Sequence, residues 1–319
     1  MSASFWFCQK SKLQTDILDG GIMKYSGVGG QAVMEGIMMR NADKYAVAVR
    51  KQDKEIDVQT FDYKGIIKNE KLKNVPIIRG VLNFADSMYL GMTSLFYSAE
   101  FFEDEEEEVD AEKEKAMMGW TAVFAIVLAI GIFFVLPYLI SLFFQSFIQS
   151  RFVITLLEGV VRLAIFIGYV SLVALIPDIK RTYMYHGAEH KCINCIEHGL
   201  ELNVENVKNS SKEHKRCGTS FLFLVILISI IFFMFIEVES GILKLVIRLL
   251  LIPVIAGVSY ECIRLAGRYD NWLVNAISVP GLMMQRITTL EPDDDMIEVG
   301  IASVEAVFDW KKWQEENLG

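Results

Sequence analysis

The sequence predicts an α-helical polytopic membrane protein with about four transmembrane helices, a small N-terminal α+β aqueous domain and a helical C-terminal tail. Hydrophobic residues make up 53% of the 319 residues, and the mean hydropathy of +0.34 is higher than soluble globular proteins reach. Four apolar stretches are long enough to cross a bilayer. They span residues 120–144, 152–176, 221–236 and 242–263.

The N-terminal part of the chain is predicted to be aqueous. Residues 1–22 have no sustained periodicity and are expected to be unstructured, or to precede the natural start of the protein. Residues 23–75 form the predicted aqueous domain, in which the alternating, β-branched segments 45–51 and 55–63 predict a β-hairpin. The glycine-rich segment 27–30 lacks the spacing of a nucleotide-binding loop, which favours a flexible turn.

An interfacial helix and an acidic linker are predicted at residues 76–115. Residues 77–102 have helical spacing, but Asp86 and scattered polar residues would make a transmembrane position costly. We therefore expect this helix to lie along the membrane interface, with a fifth span as the alternative. Residues 103–108 are an unbroken acidic run, for which a solvated linker is favoured over a cation site.

The membrane domain is predicted at residues 116–266, and the basic residues near its spans lie mostly on one side. The loop at residues 177–216 contains seven Lys and Arg residues, whereas the opposite loops contain little beyond Arg151 and Lys244. Because basic residues favour cytoplasmic loops, we expect a multi-pass protein of the cell membrane with this loop and both termini in the cytoplasm. Residues 267–319 are expected to form cytoplasmic helices.

Composition also limits the partners. A net charge of −9 looks like evidence against an anionic partner, but the acidic residues are not spread evenly along the chain. No nucleic acid is expected. Five cysteines are too few for a secreted fold held by disulfides, so reduced thiols on the cytoplasmic side are expected. The expected partners are the lipid bilayer and either a substrate or a cytoplasmic protein.

The chemistry is predicted to lie in the long cytoplasmic loop, which contains all four histidines of the chain. If a helix runs from about Asp178 to Gly199, His186 and His190 fall on one face with Glu189 beside them. The spacing matches the H-x-x-E-H pattern of inverted zinc peptidases, in which two histidines hold zinc and the glutamate assists a metal-bound water. We therefore predict a divalent metal, zinc, with Glu189 as the catalytic general base.

A catalytic zinc needs three protein ligands and one open position. His214 and Cys217 stand at the start of the third predicted span, and Glu261 stands at the cytoplasmic end of the fourth. The sequence leaves the third ligand open among these three residues. A closed structural zinc site that uses the Cys192-x-x-Cys195 pair is an alternative, although no second pair at zinc-finger spacing supports it.

Several sequence blocks resemble the signature of the YqhQ-like family of bacterial membrane proteins. The blocks are residues 29–40, 185–191, 214–221 and 288–293, within a similarity that extends over residues 23–308. This family has unknown function and is described only as predicted metal-dependent enzymes, so the resemblance implies a membrane setting rather than a reaction. Its motif positions are occupied here by His186, Glu189, His190, His214 and Cys217. Lys215 replaces a proline of the family pattern and Cys192 a threonine, which weakens an essential role for the cysteine pair.

The preferred function is an integral membrane, metal-dependent enzyme of the zinc hydrolase class. A non-enzymatic membrane scaffold or regulator with a structural metal site is the main alternative. A transporter is a third class, but the spans offer few polar residues beyond Glu158 and Arg162. These two residues lie one helical turn apart, and we expect them to neutralise each other.

Overall fold

The computed structural model describes residues 25–65, 72, 74–102, 111–236, 238, 240–266 and 272–318. The predictions for residues 1–22 and for the acidic run 103–108 therefore lie outside the described residues. The described chain is mostly helical and begins with a small antiparallel sheet.

Four strands form this sheet in the order β1-β2-β3-β4. They are β1 (Val28–Val33), β2 (Gly36–Asn41), β3 (Lys44–Arg50) and β4 (Ile56–Asp62). The predicted hairpin is present as β3 and β4, but the glycine-rich segment is a strand and not a turn. Glu35 has a positive φ of 47° in the two-residue turn after β1, and this turn brings the glycine-rich strand back against β2.

Eleven helices follow in the described residues. They are α1 (Ile78–Ala99), α2 (Ala111–Ile130), α3 (Leu136–Phe144), α4 (Arg151–Val173), α5 (Pro177–Glu197), α6 (Val204–Asn209), α7 (Gly218–Met234), α8 (Gly241–Ala266), α9 (Trp272–Thr288), α10 (Asp294–Val307) and α11 (Trp310–Asn317). A short 3₁₀ turn (Glu100–Phe102) extends α1, and a π-helical segment (Gly131–Val135) joins α2 to α3.

Three helical stretches are long and apolar enough to cross a membrane. They are Gly119–Phe144, Arg151–Val173 and Gly241–Ala266, and they match the first, second and fourth predicted spans. The third predicted span corresponds to α7, which has 17 residues and is about 25 Å long at 1.5 Å per residue. The described residues thus contain three candidate spans by length, with the shorter apolar helix α7 packed against α4, α8 and α9.

Helix α1 buries its small and polar side and exposes its apolar side. The buried side carries Gly80, Asp86, Leu90, Gly91, Ser94 and Ser98. The exposed side carries Met88, Tyr89, Met92, Leu95 and Phe96. The buried side contacts the sheet and α8, where a side chain at Gly80 would come within 2.9 Å of the Gly257 carbonyl oxygen.

One hydrophobic core joins the sheet to α5, α6, α10 and α11. Ile37 of the sheet, Ala188 and Ile193 of α5, and Val299 of α10 are all at most 2% exposed within it. The helix predicted from about Asp178 to Gly199 is confirmed as α5, and this helix is a central element of the core rather than a surface segment. The sheet, the loop and the C-terminal helices therefore fold together.

Candidate metal centre

Helix α5 carries the histidine motif, and its ends follow from its sequence. Pro177 occupies the first turn, where a missing N–H costs nothing, and Asp178 complements the positive end of the helix dipole. Gly199 adopts a φ of 73° just past the helix end, a conformation that glycine adopts without strain. The helix between these signals places His186 and His190 on consecutive turns of one face, with Glu189 beside His190.

Three potential metal ligands converge where α5 meets the start of α7. The rings of His186 and His190 have centroids 4.4 Å apart. Cys217, the residue that caps α7, brings its Sγ to 3.2 Å from Nε2 of His186. One donor atom of each residue lies within 4.8 Å of the other two. Of the three candidates for the third position, Cys217 is the one in this group.

Backbone carbonyls hold the outer nitrogen of both imidazoles. Nδ1 of His186 lies 2.9 Å from the Thr288 carbonyl oxygen, and Nδ1 of His190 lies 2.7 Å from that of Lys212. A carbonyl can only accept, so each Nδ1 carries a proton, and Nε2 is the ring nitrogen that a metal could bind once it has lost its own proton. Metal-binding histidines are oriented by hydrogen bonds of this kind.

The Cys217 sulfur is stabilised as a thiolate. The Thr219 N–H donates to it at 3.4 Å, at the positive end of the α7 dipole. Burial opposes ionisation, but the charges and hydrogen bonds of His186 and His190 outweigh it and hold the pKa of Cys217 well below 9.0. Burial also lowers the pKa of His186, yet the neighbouring Cys217 thiolate raises that pKa to about 9.

Glu189 lies between the two histidines and strand β1. A backbone hydrogen bond from Gly30 reaches its carboxylate. Burial raises the pKa of Glu189, although the positive charges of His186 and His190 oppose that shift. A side chain at Gly30 would come within 3.1 Å of the Glu189 Cγ and 2.5 Å of the Met38 carbonyl oxygen. The glycine-rich strand thus leaves the room that Glu189 occupies.

A cavity of about 140 Å³ adjoins the cluster, and its lining includes Glu189, His214 and Arg216 together with the three donors. His214 is bound elsewhere, because its Nε2 lies 3.1 Å from Nη2 of Arg216 and 3.7 Å from the Glu197 carboxylate. Burial lowers the pKa of His214. The structure therefore brings His214 to the cavity wall but not into the three-donor group.

Sequence reasoning missed the ion pair of Glu197 and Arg216 behind this wall. The Arg216 Nη2 donates to both Glu197 oxygens, at 2.6 and 2.7 Å. Burial raises the pKa of Glu197, but His214 and Arg216 outweigh this and hold it at about 2. A signal was present in the sequence, because Glu197 follows His190 by two helical turns and so shares its face of α5.

The remaining predicted ligands lie apart from the cluster. Glu261 binds Arg79 of α1, with Nε donating to its carboxylate at 2.7 Å, and is not brought to the three donors. Cys192 and Cys195 are buried in the hydrophobic core, where burial raises the pKa of both thiols. Neither cysteine belongs to the single group of three or more close potential ligands found among the described residues.

A family model described as a protein of unknown function (DUF1385) matches residues 75–310. The chain belongs to this family. It is also 32% identical over 304 residues to the "Uncharacterized protein YqhQ" of Bacillus subtilis (strain 168), a match that covers 91% of this chain and 94% of the relative. The predicted membership of the YqhQ-like family is therefore confirmed. No solved structure gives a significant match.

Proposed function

We propose that this member of the DUF1385 family is a membrane-embedded zinc hydrolase, with zinc held by His186, His190 and Cys217 and with Glu189 as general base. The observation that carries the proposal is the convergence of one ring nitrogen from each of the two histidines and the Cys217 Sγ within 4.8 Å of one another. The carbonyl contacts of both Nδ1 atoms add to it, because they leave each Nε2 free to bind a metal.

The donor set fits zinc. Imidazole and thiolate are preferred zinc ligands, and zinc lies about 2.0–2.1 Å from nitrogen and about 2.3 Å from sulfur. Tetrahedral angles then separate neighbouring nitrogen and sulfur ligands by about 3.5 Å. The observed 3.2 Å between Nε2 of His186 and Sγ of Cys217 is close to this value. The three donors lie within 4.8 Å of one another, so the widest pair would shorten by up to about 1.3 Å around an ion.

The cavity and Glu189 favour a catalytic role over a structural one. Three protein ligands leave a fourth position for water or substrate, and the adjoining cavity provides space for it. Bound zinc would supply a Lewis acid and lower the pKa of a water molecule. Glu189 is the carboxylate within the cavity wall that can take the proton from that water and return it to the leaving group.

We also infer that the chain crosses the cell membrane four times, with both termini in the cytoplasm. Three helices have sufficient length and hydropathy, and α7 serves as the fourth span because 17 residues reach the lower limit for crossing. The seven basic residues between α4 and α7 favour a cytoplasmic position for the metal centre. The exposed apolar side of α1 supports contact with the membrane interface.

Metal analysis of the purified full-length protein tests the proposal. We expect about one zinc per chain in the wild type and less than about a tenth of that in the His186→Ala/His190→Ala double variant, since two of three ligands are lost. His198→Ala is the matched control, because this exposed histidine caps the C-terminal end of the same helix, where its Nδ1 bonds to the Asn194 carbonyl oxygen. Equal zinc in the wild type and the double variant would refute the metal site.

The scaffold alternative predicts a closed site with four protein ligands. Replacing zinc with cobalt distinguishes the two, because the cobalt absorption spectrum reports its coordination. An open site changes its spectrum when azide or a hydroxamate is added, whereas a closed structural site does not. A cobalt spectrum that does not change when these ligands are added would refute the hydrolase and favour a scaffold with a structural metal site.

A cysteine-dependent hydrolase is a second candidate, favoured by the contact between Cys217 and His186. His186 can accept the thiol proton through Nε2, and the Thr288 carbonyl orients its ring, as a nucleophilic pair requires. Alkylation of Cys217 with iodoacetamide separates the candidates. In a zinc enzyme the bound metal protects the thiolate and a chelator exposes it. In a cysteine enzyme alkylation is fast without a chelator.

A further inference from the structure

Three charged side chains are buried together among the apolar helices, outside the metal centre. Glu158 and Arg162 lie on α4 and Arg248 lies on α8, and each is at most 2% exposed. Both arginines lie 2.7 Å from a Glu158 carboxylate oxygen. The expected pair of Glu158 and Arg162 is therefore a triad, completed by an arginine 90 residues from Glu158 in the sequence.

Arg162 has an acceptor for each of its nitrogen atoms. Its Nε donates to the Phe133 carbonyl oxygen at 2.9 Å, which belongs to the π-helical segment between α2 and α3. Its Nη1 donates to the Ser229 hydroxyl at 3.0 Å, and its Nη2 donates to Glu158. The hydrogen-bonding groups of Arg162 are thus satisfied by the chain itself.

Only part of the Arg248 guanidinium has hydrogen-bond acceptors. Its Nη1 donates to both Glu158 oxygens at 2.7 Å, but Nε and Nη2 are buried without a hydrogen-bond partner among the described residues. The rings of Phe233 and Tyr138 lie 4.8 and 5.5 Å from the guanidinium carbon and offset part of its charge. The rings do not replace the missing acceptors, and unpaired buried donors are costly.

The charges of the triad do not cancel either. Two guanidinium groups and one carboxylate leave one net positive charge where the dielectric constant is low and uncompensated charge is strongly disfavoured. A bound anion would accept hydrogen bonds from the unpaired Nε and Nη2 of Arg248 and would also neutralise the net positive charge of the triad. Nε and Nη2 form one edge of the planar guanidinium, and this edge matches two oxygen atoms of a single oxyanion.

The surroundings of Arg248 favour a phosphate group. Arg248 follows the first residue of α8 by seven positions, a distance of about 10 Å along the helix axis. Lys244 lies one turn nearer that end and interacts electrostatically with Arg248 and with Arg151 at the start of α4. Three basic residues, Arg248, Lys244 and Arg151, therefore lie toward this end of α4 and α8, with Glu158 as their acidic neighbour.

We propose that Arg248 forms a phosphate-binding site in the membrane domain, in which Nε and Nη2 hold two oxygen atoms of one phosphate group. Lys244 supplies the nearest additional positive charge. The phosphate comes either from the headgroup of an anionic lipid or from free phosphate in solution. This site is separate from the zinc centre and does not depend on the proposed hydrolase function.

Thermal unfolding of the delipidated full-length protein in dodecyl maltoside tests the proposal, because this detergent contains no phosphate. Phosphatidylglycerol, inorganic phosphate and a phosphate-free galactolipid are added separately. We expect phosphatidylglycerol or inorganic phosphate to raise Tm by about 5 °C at a hundredfold excess over its dissociation constant. The galactolipid should leave Tm unchanged. A response to phosphatidylglycerol alone identifies the lipid, and no response to either phosphate source overturns the site.

Two variants assign the response to the triad. Arg248→Lys keeps the charge but loses the two-pronged edge, so at least half of the Tm shift should disappear. Glu158→Gln raises the net charge of the triad and should enlarge the shift. Arg264→Gln, at the other end of α8, is the control and should respond as the wild type does. Equal Tm shifts in the wild type and all three variants would overturn the assignment of the phosphate site to the triad. If Arg248→Lys does not fold, a Glu158→Gln variant with the same Tm shift as the wild type would overturn it.

Discussion

Glu197→Gln tests how the cavity wall is held, because this substitution removes one charge and almost no volume. The Glu197 side chain is fully buried. It accepts hydrogen bonds from Arg216 Nη2 at 2.6 and 2.7 Å and from the Ser26 N–H and hydroxyl at 3.0 and 2.9 Å. The glutamine amide can accept from only one oxygen, and it leaves the largely buried Arg216 guanidinium without a counter-charge.

The pKa of Glu197 gives the size of its contribution to the stability of the fold and the direction in which this contribution changes with pH. Its pKa falls from 4.5 to about 2 on folding, and each unit corresponds to about 1.4 kcal/mol, so ionised Glu197 stabilises the fold by about 3 kcal/mol. Because the folded-state pKa is the lower one, this stabilisation is complete above pH 4.5 and disappears as the pH falls through about 2. Glu197→Gln should therefore unfold at a Tm lower by at least about 6 °C at pH 7.

The assay is thermal unfolding in detergent at pH 7 and at pH 2.5, compared between wild type and variant. Glu316→Gln is the control, because Glu316 is 63% exposed and lies 4.0 Å from Lys312, and exposed pairs contribute about 0–1 kcal/mol. The Tm difference between Glu197→Gln and the wild type should shrink at the lower pH. A difference that is absent at pH 7, or that is equal at both pH values, refutes the reasoning.

Two further outcomes are expected. Gly187→Ala should destabilise the fold by more than about 2 kcal/mol, because the added Cβ would lie 1.9 Å from the Leu290 carbonyl oxygen. Gly168→Ala is the control and should unfold like the wild type, because nothing lies within 4 Å of its added Cβ. Equal Tm values for the two variants would contradict this account. If the exposed apolar side of α1 lies at the membrane interface, as proposed, a nitroxide label at Met92→Cys should collide with membrane-dissolved oxygen more often than with a water-soluble nickel complex. The same label at Lys312→Cys should show the opposite preference, and matching nickel accessibility at both sites would argue against an interfacial α1.

Local sequence signals predicted the parts of the structure that depend on neighbours in the chain. The i, i+4 spacing of His186 and His190 needs only that α5 be helical, and Pro177 and Gly199 mark the ends of that helix. The β3–β4 hairpin needs only alternation and a turn. The glycine-rich segment was misread because its glycines are explained by a long-range contact, the approach of Glu189 to Gly30.

Which residue lies beside His186 and His190 could not be predicted for the same reason. His214, Cys217 and Glu261 all reach the same predicted membrane face, so topology does not distinguish them. The choice depends on tertiary contacts, in which Arg79 binds Glu261 and the pair of Glu197 and Arg216 holds His214. Only Cys217 joins the group of close donors, although the His214 ring lies 5.6 Å from that of His190. The orientation of the two imidazoles depends on carbonyl groups of distant residues and had no local signal either.

The position of Cys217 connects the metal centre to the membrane helices. His186 and His190 belong to α5, which folds with the sheet, whereas Cys217 caps the apolar helix α7. Gln285 of α9 joins these parts, because its fully buried side chain bonds both backbone groups of His214 and the Ser220 hydroxyl. The three donors therefore meet only when the core that contains the sheet is docked on the apolar helices. Since a ligand that binds only the docked arrangement stabilises it, zinc in this site would also hold the two parts of the protein together.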